Sequence, residues 1–450
     1  MPAPAYLDFE ELPDYSPSES VPTPRAEHVF SLFQKKQKWA SLYMLSYAKS
    51  SSSLPMLLQG LELPCRVELD LSKPTQIRKV TATVEVAISS VEWAGEMATT
   101  TEDASRANGR IFYAKEHVLW DSNSNSDTGQ RASLQGRHTW SFNVSLPKEV
   151  SFSDKSKDVY PTPPSFTEPS VPVNIDYRVR VSIKHGWMGG KSSLLGRFGY
   201  LPLDIADPPS PLRTMVYQEA SGYLLGPDAD PEGWQILPSV TTKGTLFSVR
   251  MTEIKATLAI AKPLCYSLNT PIPLILTLES SDRQALDVVS QPSMIHLHLA
   301  RTLSYRRNPI QPTNDTPRHT DAVGPVTAAY FWPEAPPGID GEHSSGDSPN
   351  KRVLRGEVLV HRILKPSFTF ARLTVQYQLD FFAFEGPGFV PAVPSSSANA
   401  LIPIPLISQP IKVVARRPPG VLARSFAPPG SPDLSILVAS TQQRNIILFA

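Results

Sequence analysis

The chain is poor in cysteine, with only Cys65 and Cys265 among 450 residues. Two thiols by themselves cannot furnish a four-ligand zinc site. They cannot build a disulfide framework either, and such usage fits a reducing compartment. Long apolar runs are also missing. No stretch approaches the roughly 18 apolar residues of a membrane helix. The acidic, proline-rich N-terminus has no apolar segment of the signal-peptide kind. A cytosolic protein is expected, with membrane association peripheral at most. Charge of one sign is lacking too: Lys+Arg 43 against Asp+Glu 42 leaves +1. That excludes a global electrostatic footprint for nucleic acid.

Recognisable catalytic motifs are missing as well. There is no nucleophile elbow, P-loop, Gly-x-Gly-x-x-Gly turn or HExxH. An enzyme on this chain would have to assemble its site from distant residues. His296-Leu297-His298 places two imidazoles on one strand face, but no third metal ligand is recognisable nearby, and a polar outer face is the expected role. No catalytic residue, metal or cofactor is therefore assigned.

Proline is abundant, at 46 residues, roughly twice the usual usage. At that density it breaks helices and punctuates strands. Between the prolines, period-two alternation recurs. Cys65, Val67, Leu69 and Leu71 alternate with Arg66, Glu68 and Asp70. Val80 to Ile88, Trp140 to Leu146 and Val173 to Ile183 behave likewise, and so do Ile272 to Leu278, Ile295 to Leu299 and Leu373 to Phe381. Each run puts an apolar face inward and a polar face outward, as in antiparallel sheets packed on one side. No long stretch has a clear helical period. An all-β fold of β-sandwiches follows.

One pattern occurs twice. Leu134-Gln135-Gly136 leads to Pro164-Ser165-Phe166 and then to the Tyr177 strand. Leu354-Arg355-Gly356 leads to Pro366-Ser367-Phe368 and then to the Tyr377 strand. The shared order predicts two related β-domains, with Tyr177 and Tyr377 facing their cores. The expected organisation is an unstructured tail at 1–37, a sandwich at 38–207, a Pro/Gly-rich linker at 208–245, a second sandwich at 246–415 and a tail at 416–450. The linker is expected to be ordered against its neighbours, because Tyr223 and Trp234 would otherwise be exposed. Proline-rich insertions lie near Ser153–Pro172 and Tyr305–Lys351, and the second reads as a long loop.

The residue order resembles the arrestin fold, two tandem immunoglobulin-like sandwiches. The resemblance is carried by Leu69-Asp70-Leu71-Ser72-Lys73-Pro74 with Ile77 to Val80, then Leu119-Trp120. Gly136 to Phe142 with Leu146-Pro147 and the Tyr177 strand continue it. In the second half it rests on Leu264 to Ser267, Ile272-Pro273-Leu274, Gly356-Glu357-Val358 and Pro366-Ser367-Phe368. The Gly226-Pro227 to Gly233-Trp234 segment looks like that of fungal α-arrestins. An acidic C-terminal tail of the visual-arrestin kind has no counterpart.

The resemblance gives meaning to Leu12-Pro13-Asp14-Tyr15. Such segments are preset to polyproline II and suit aromatic grooves. In α-arrestins, Leu-Pro-x-Tyr motifs are ligands for WW domains of HECT-type ubiquitin ligases. Leu12 and Pro13 would then fill the groove, and Tyr15 a second pocket. Short matches in a proline-containing tail also arise by chance. The implied function is a non-enzymatic adaptor linking membrane transporters or receptors to the ligase, for ubiquitination and endocytosis. Such a protein would be cytoplasmic and transiently at plasma membrane or endosomes. The alternative is a ligase-independent trafficking coat or sorting scaffold. Ser16, Thr23, Thr162, Thr316, Ser348 and Ser431 each precede proline and are candidate phosphorylation sites. Such pairs are also unavoidable at this proline content. Lys35-Lys36-Gln37-Lys38 is a basic cluster beside Phe33 and Trp39, read here as a solvated lead-in to a strand, with anionic headgroups as the other reading.

Overall fold

Alternating apolar residues become strands throughout. The computed structural model describes residues 23–90, 110–122, 133–152, 158–168, 171–186, 190–219, 223–305, 319–334, 349–392, 404–420 and 422–432. The chain divides into two units. One is Met1–Leu203 with Ser304–Asp321 and Phe368–Thr374. The other is Asp204–Leu303 with Ala322–Ser367 and Val375–Ala450.

The first unit is built from β1 (Ala26–Gln34), β2 (Gln37–Ser46), β3 (Met56–Leu58), β4 (Leu63–Ser90), β5 (Arg110–Asp121) and β6 (Ser133–Val144). After these come β7 (Glu149–Ser151), β8 (Val159–Pro161), β9 (Phe166–Glu168), β10 (Val171–His185) and β11 (Lys191–Leu201). The strand order is β1-β2-β4-β10-β11-β3, with β5 and β6 also on β4. β4 is 28 residues long and serves two sets of neighbours. Its first half lies between β2 and β6, with Leu69 opposite both Ala40 and His138. Its second half lies between β10 and β5, with Val84 opposite Val179 and Lys115. Leu42, Met44, Val67, Leu69, Val84, Val86 and Tyr177 are buried. Large apolar side chains of this kind contribute about 1.5–3 kcal/mol each on full burial. A Cβ at Gly196 of β11 would fall 2.6 Å from Met44 and 2.9 Å from Leu42. Glycine is needed there for the close approach of β11 to β2.

On the other face of β4 and β10, charge is buried. Glu85 Oε2 accepts from Arg178 Nε at 2.7 Å, and Oε1 from Arg180 Nε at 2.9 Å. Burial pulls the Glu85 carboxyl up, but hydrogen bonds from both arginines and their charges outweigh it and hold it below its ordinary value.

The second unit contains β12 (Trp234–Ile236), β13 (Val240–Leu246), β14 (Arg250–Ala261), β15 (Cys265–Ser267), β16 (Thr270–Glu279) and β17 (Leu297–Tyr305). The remaining strands are β18 (His319–Ala328), β19 (Tyr330–Pro333), β20 (Lys351–Val360), β21 (Phe368–Phe370), β22 (Leu373–Phe381), β23 (Phe389–Pro391) and β24 (Ile407–Val414); of these β21, with the first residues of β18 and β22 and the last of β17, is counted with the first unit. One sheet runs β19-β20-β16-β14-β13-β23, with β12 on β14. The other runs β15-β24-β22-β17-β18. Two short helices depart from the all-strand expectation. α1 (Pro211–Gln218) starts with proline and is capped by Ser210, whose hydroxyl accepts from the Arg213 N–H. α2 (Arg283–Val289) is capped by Asp282 and buries Leu286 and Val289.

The repeated pattern has a physical cause. The Tyr177 hydroxyl donates to the Pro163 carbonyl, and the Tyr377 hydroxyl to the Lys365 carbonyl at 2.7 Å. Each acceptor immediately precedes a Pro-Ser-Phe. The serines match as well. Ser165 Oγ accepts from Tyr200 N–H of β11 at 2.5 Å, and Ser367 Oγ accepts from Val413 N–H of β24 at 2.9 Å. Both serine N–H groups donate back to the same strands, to Tyr200 and Val413 carbonyls. Each Pro-Ser-Phe is thus clamped between a core tyrosine and a neighbouring strand, much as a tyrosine corner fixes a sandwich end.

Four expectations change. Residues 26–34 are strand β1, not part of a tail. Val29 and Phe33 face solvent while His28 is buried on Ser46 Oγ at 2.9 Å, so polarity runs against the usual alternation. The 208–245 segment is ordered with Trp234 buried, as its aromatics implied, but it is more than a linker: it holds α1, β12 and most of β13. Within the long 305–351 insertion, His319–Ala328 and Tyr330–Pro333 are strands. Residues 422–432 are loop-like as read, but they are tied to β20 through Glu357 rather than forming a separate tail.

Candidate functional site

The second unit concentrates its polar chemistry on one strand. β20 carries Arg355 and Glu357, two residues apart and so on one face, both buried. Arg355 gathers residues distant in sequence. Its Nη1 donates to the Leu224 carbonyl at 2.7 Å, its Nη2 to Tyr223 Oη at 2.6 Å, and its Nε to Glu334 Oε1 at 3.0 Å. The guanidinium also lies over the Tyr223 ring, 4.7 Å from its centroid. Tyr223 Oη donates to Glu334 at 2.7 Å. Burial raises the Glu334 carboxyl, yet hydrogen bonds from Tyr223 and Arg355 and the Arg355 charge leave it below its ordinary value.

Glu357 holds the segment after β24. Its two oxygens accept from the Ser425 hydroxyl and the Phe426 N–H, each at 2.6 Å. Here burial wins, and the carboxyl sits above its ordinary value despite both donors. Phe426 stacks on Tyr217 of α1 with ring centroids 5.9 Å apart, and Arg424 Nη2 donates to the Val216 carbonyl at 3.2 Å. Next to them Arg213 donates to the Gly233 and Lys262 carbonyls and lies over the Trp234 ring. Between these groups opens a cavity of about 510 Å³, walled by Tyr223, Trp332, Pro333, Arg355, Phe426 and Pro428 among others. The arrangement offers rings, prolines and paired charge.

The sites expected from sequence are scattered. Leu12, Pro13, Tyr15 and Ser16 lie outside the described residues, as do Thr316 and Ser348. Thr23 is exposed just before β1. Thr162 is buried, and its hydroxyl donates to the Pro147 carbonyl at 2.6 Å, so the fold does not present it to a kinase. Ser431 is half-buried and donates to the Pro428 carbonyl at 2.7 Å. His296 bonds the Glu385 carbonyl at 2.8 Å, and His298 packs on Phe382. Among the described residues, no group of three His, Cys, Asp or Glu is placed to hold a metal. Cys65 is buried, which pushes its thiol up to about 12. Sequence reasoning missed the Tyr223–Glu334–Arg355–Glu357 cluster. The one available signal was two charged residues inside the apolar β20 run.

Residues 60–194 match the family model of the arrestin (or S-antigen) N-terminal domain. The protein is arrestin-like. The matched stretch runs from just before β4 into β11. It therefore takes in β4, β10 and the first Pro-Ser-Phe, the first-half residues that carried the resemblance; the second-half residues lie outside the match. No curated protein matches the chain. Arrestin-like proteins are in general adaptors rather than enzymes, and an adaptor or scaffold in trafficking is the kind of role this domain supports. No helix among the described residues is long and apolar enough to cross a membrane.

Proposed function

We propose that this arrestin-like protein is a cytoplasmic adaptor joining membrane-protein cargo to a WW-domain ubiquitin ligase of the HECT type. The carrying observation is the coexistence of an arrestin N-terminal domain at 60–194 with Leu12-Pro13-Asp14-Tyr15 ahead of it. The folded units bind transporters or receptors, and the tail segment engages the ligase. Tethering raises the ligase's effective concentration at its substrate, so ubiquitination follows without chemistry by the adaptor. Endocytosis of the marked cargo is the outcome. Ser16 and Thr23 follow the motif, and phosphate there would alter docking electrostatically. The deciding experiment is affinity capture with the full chain and its Tyr15→Ala variant. Loss of a WW-domain ligase with membrane proteins retained is expected. Equal ligase capture by both would overturn the reading. Intact cargo sorting by the variant would favour a ligase-independent scaffold of the same fold.

A further inference from the structure

The β1–β2 connection has two residues, Lys35 and Lys36, and both hold positive φ, 46° and 68°. A two-residue hairpin of this kind calls for left-handed backbone at both positions, and Asn-Gly adopts it most readily. Lysine does so under strain. Strained backbone of this sort concentrates at functional positions. The sequence has put two charges where an uncharged pair would hold the turn more easily.

What surrounds the turn suits those charges. A cavity of about 600 Å³ is lined by Gln34 and Gln37 on either side of it, and by Ser72, Lys73, Thr75 and Ser192. Hydroxyls, amides and an ammonium group are a donor-rich wall, suited to an anion with several acceptor oxygens. His185 and Trp39 close another side, packed with ring centroids 6.1 Å apart, and His185 Nε2 lies 2.9 Å from Ser192 Oγ. One carboxylate, Asp70, lines the cavity. Further lysines flank it: Lys38 follows Gln37, and Lys191 precedes Ser192. Lys191 stands opposite Lys184 on β10, and Lys184 stands opposite Lys79 on β4. Like charges directly opposite one another weaken strand pairing. Lys79 is relieved by Glu116 at 2.9 Å. Lys184 and Lys191 remain exposed.

The rim is not purely polar. Phe33, which also lines the cavity, is 66% exposed, and Val29 on the same face of β1 is 48% exposed. An exposed aromatic beside a cationic turn is the composition of a membrane-surface contact: the ring enters the interface and the lysines meet anionic headgroups.

We propose that this end of the first unit binds phosphorylated lipid headgroups at an anionic membrane surface. Lys35, Lys36, Lys38 and Lys73 meet the phosphates, and Phe33 inserts. The site is independent of the tail motif at Tyr15, so its test leaves the ligase reading untouched. The full chain is sedimented with vesicles of phosphatidylcholine alone, with added phosphatidylserine, or with an inositol phospholipid at equal net charge. Soluble inositol phosphate is titrated separately. Wild-type protein is expected to pellet with the inositol phospholipid in preference to the other two. The Lys35→Asn/Lys36→Gly variant keeps the turn geometry, so its melting temperature should match or exceed wild type while apparent vesicle affinity falls about tenfold. Phe33→Ser should weaken vesicle binding and spare any binding of soluble headgroup. The proposal is overturned if the Asn-Gly variant pellets like wild type, if wild type shows no preference over phosphatidylcholine, or if soluble headgroup binds and vesicles do not.

Discussion

At the scale of single residues, the two core tyrosines carry the same duty. Tyr177 and Tyr377 are buried, and each hydroxyl has one carbonyl to serve, that of Pro163 or Lys365. Removing the hydroxyl leaves that carbonyl with an unmet hydrogen bond in an apolar surround, a loss of about 1–3 kcal/mol. Tyr177→Phe and Tyr377→Phe are each expected to lower unfolding free energy in that range, read from denaturant midpoints. A change below a few tenths for either would show that its hydroxyl is not what secures the Pro-Ser-Phe clamp. This duty was half legible in the sequence. The alternating strands placed both rings inward, and the repeated Pro-Ser-Phe marked a partner. The acceptor carbonyl could not be read, because every residue carries one and only the fold selects which lies in reach. His28 was illegible for the opposite reason. A polar residue on the inward face of β1, with Val29 and Phe33 outward, reads as a tail.

At the scale of elements, the repeated glycines part company. Gly136 in β6 has φ +82°, and a Cβ added there would meet nothing within 4 Å, so backbone conformation alone demands glycine. Gly356 in β20 has ordinary backbone, but its Cβ would sit 2.4 Å from Phe331 of β19. Gly136→Ala should therefore cost about 1–2 kcal/mol through left-handed strain, with Gly136→Asn milder. Gly356→Ala should cost about 1–3 kcal/mol through overpacking, and adding Phe331→Leu should recover part of it. Calorimetric melting of the two sets would expose the difference; a rescue equal in both would refute it. The two glycines of the Leu-x-Gly repeat are thus required for two separate physical reasons. The α1 region shows where sequence reading stops. A Pro/Gly-rich run looked like a linker because prolines dominated its composition, and only Tyr223 and Trp234 marked it as ordered. Arg213 and Trp234 bind it into the second unit through carbonyls and a ring face, partners without a sequence signature.

At the scale of the whole molecule, buried carboxylates set the response to acid. Glu85 and Glu334 lie below the ordinary value of 4.5 when folded. Their stabilisation is present above that value and is lost as pH falls from it through the folded values. Glu357 lies above 4.5, so its contribution has the opposite sign: acidification through its folded value favours the native state. Net stability should therefore hold or rise slightly on mild acidification and fall steeply below about pH 4.5. Glu85→Gln breaks a buried pair and should cost about 3–5 kcal/mol at neutral pH, with the acid slope flattened. Melting curves taken from neutral to acid for wild type, Glu85→Gln and Glu357→Gln would test this; a Glu85→Gln slope equal to wild type would count against it. Long β4 also has a bearing on how the chain is made. It leaves the ribosome with β2 already available, but β6 follows later and β10 ends only at His185. At roughly 5–20 residues per second, its second half waits on the order of ten seconds for its inner neighbour. During that interval β5 covers one edge, and the open edge that awaits β10 is a template for other nascent chains. Expression of this protein will be governed by the speed of elongation and by holdase supply as much as by the stability of the finished fold.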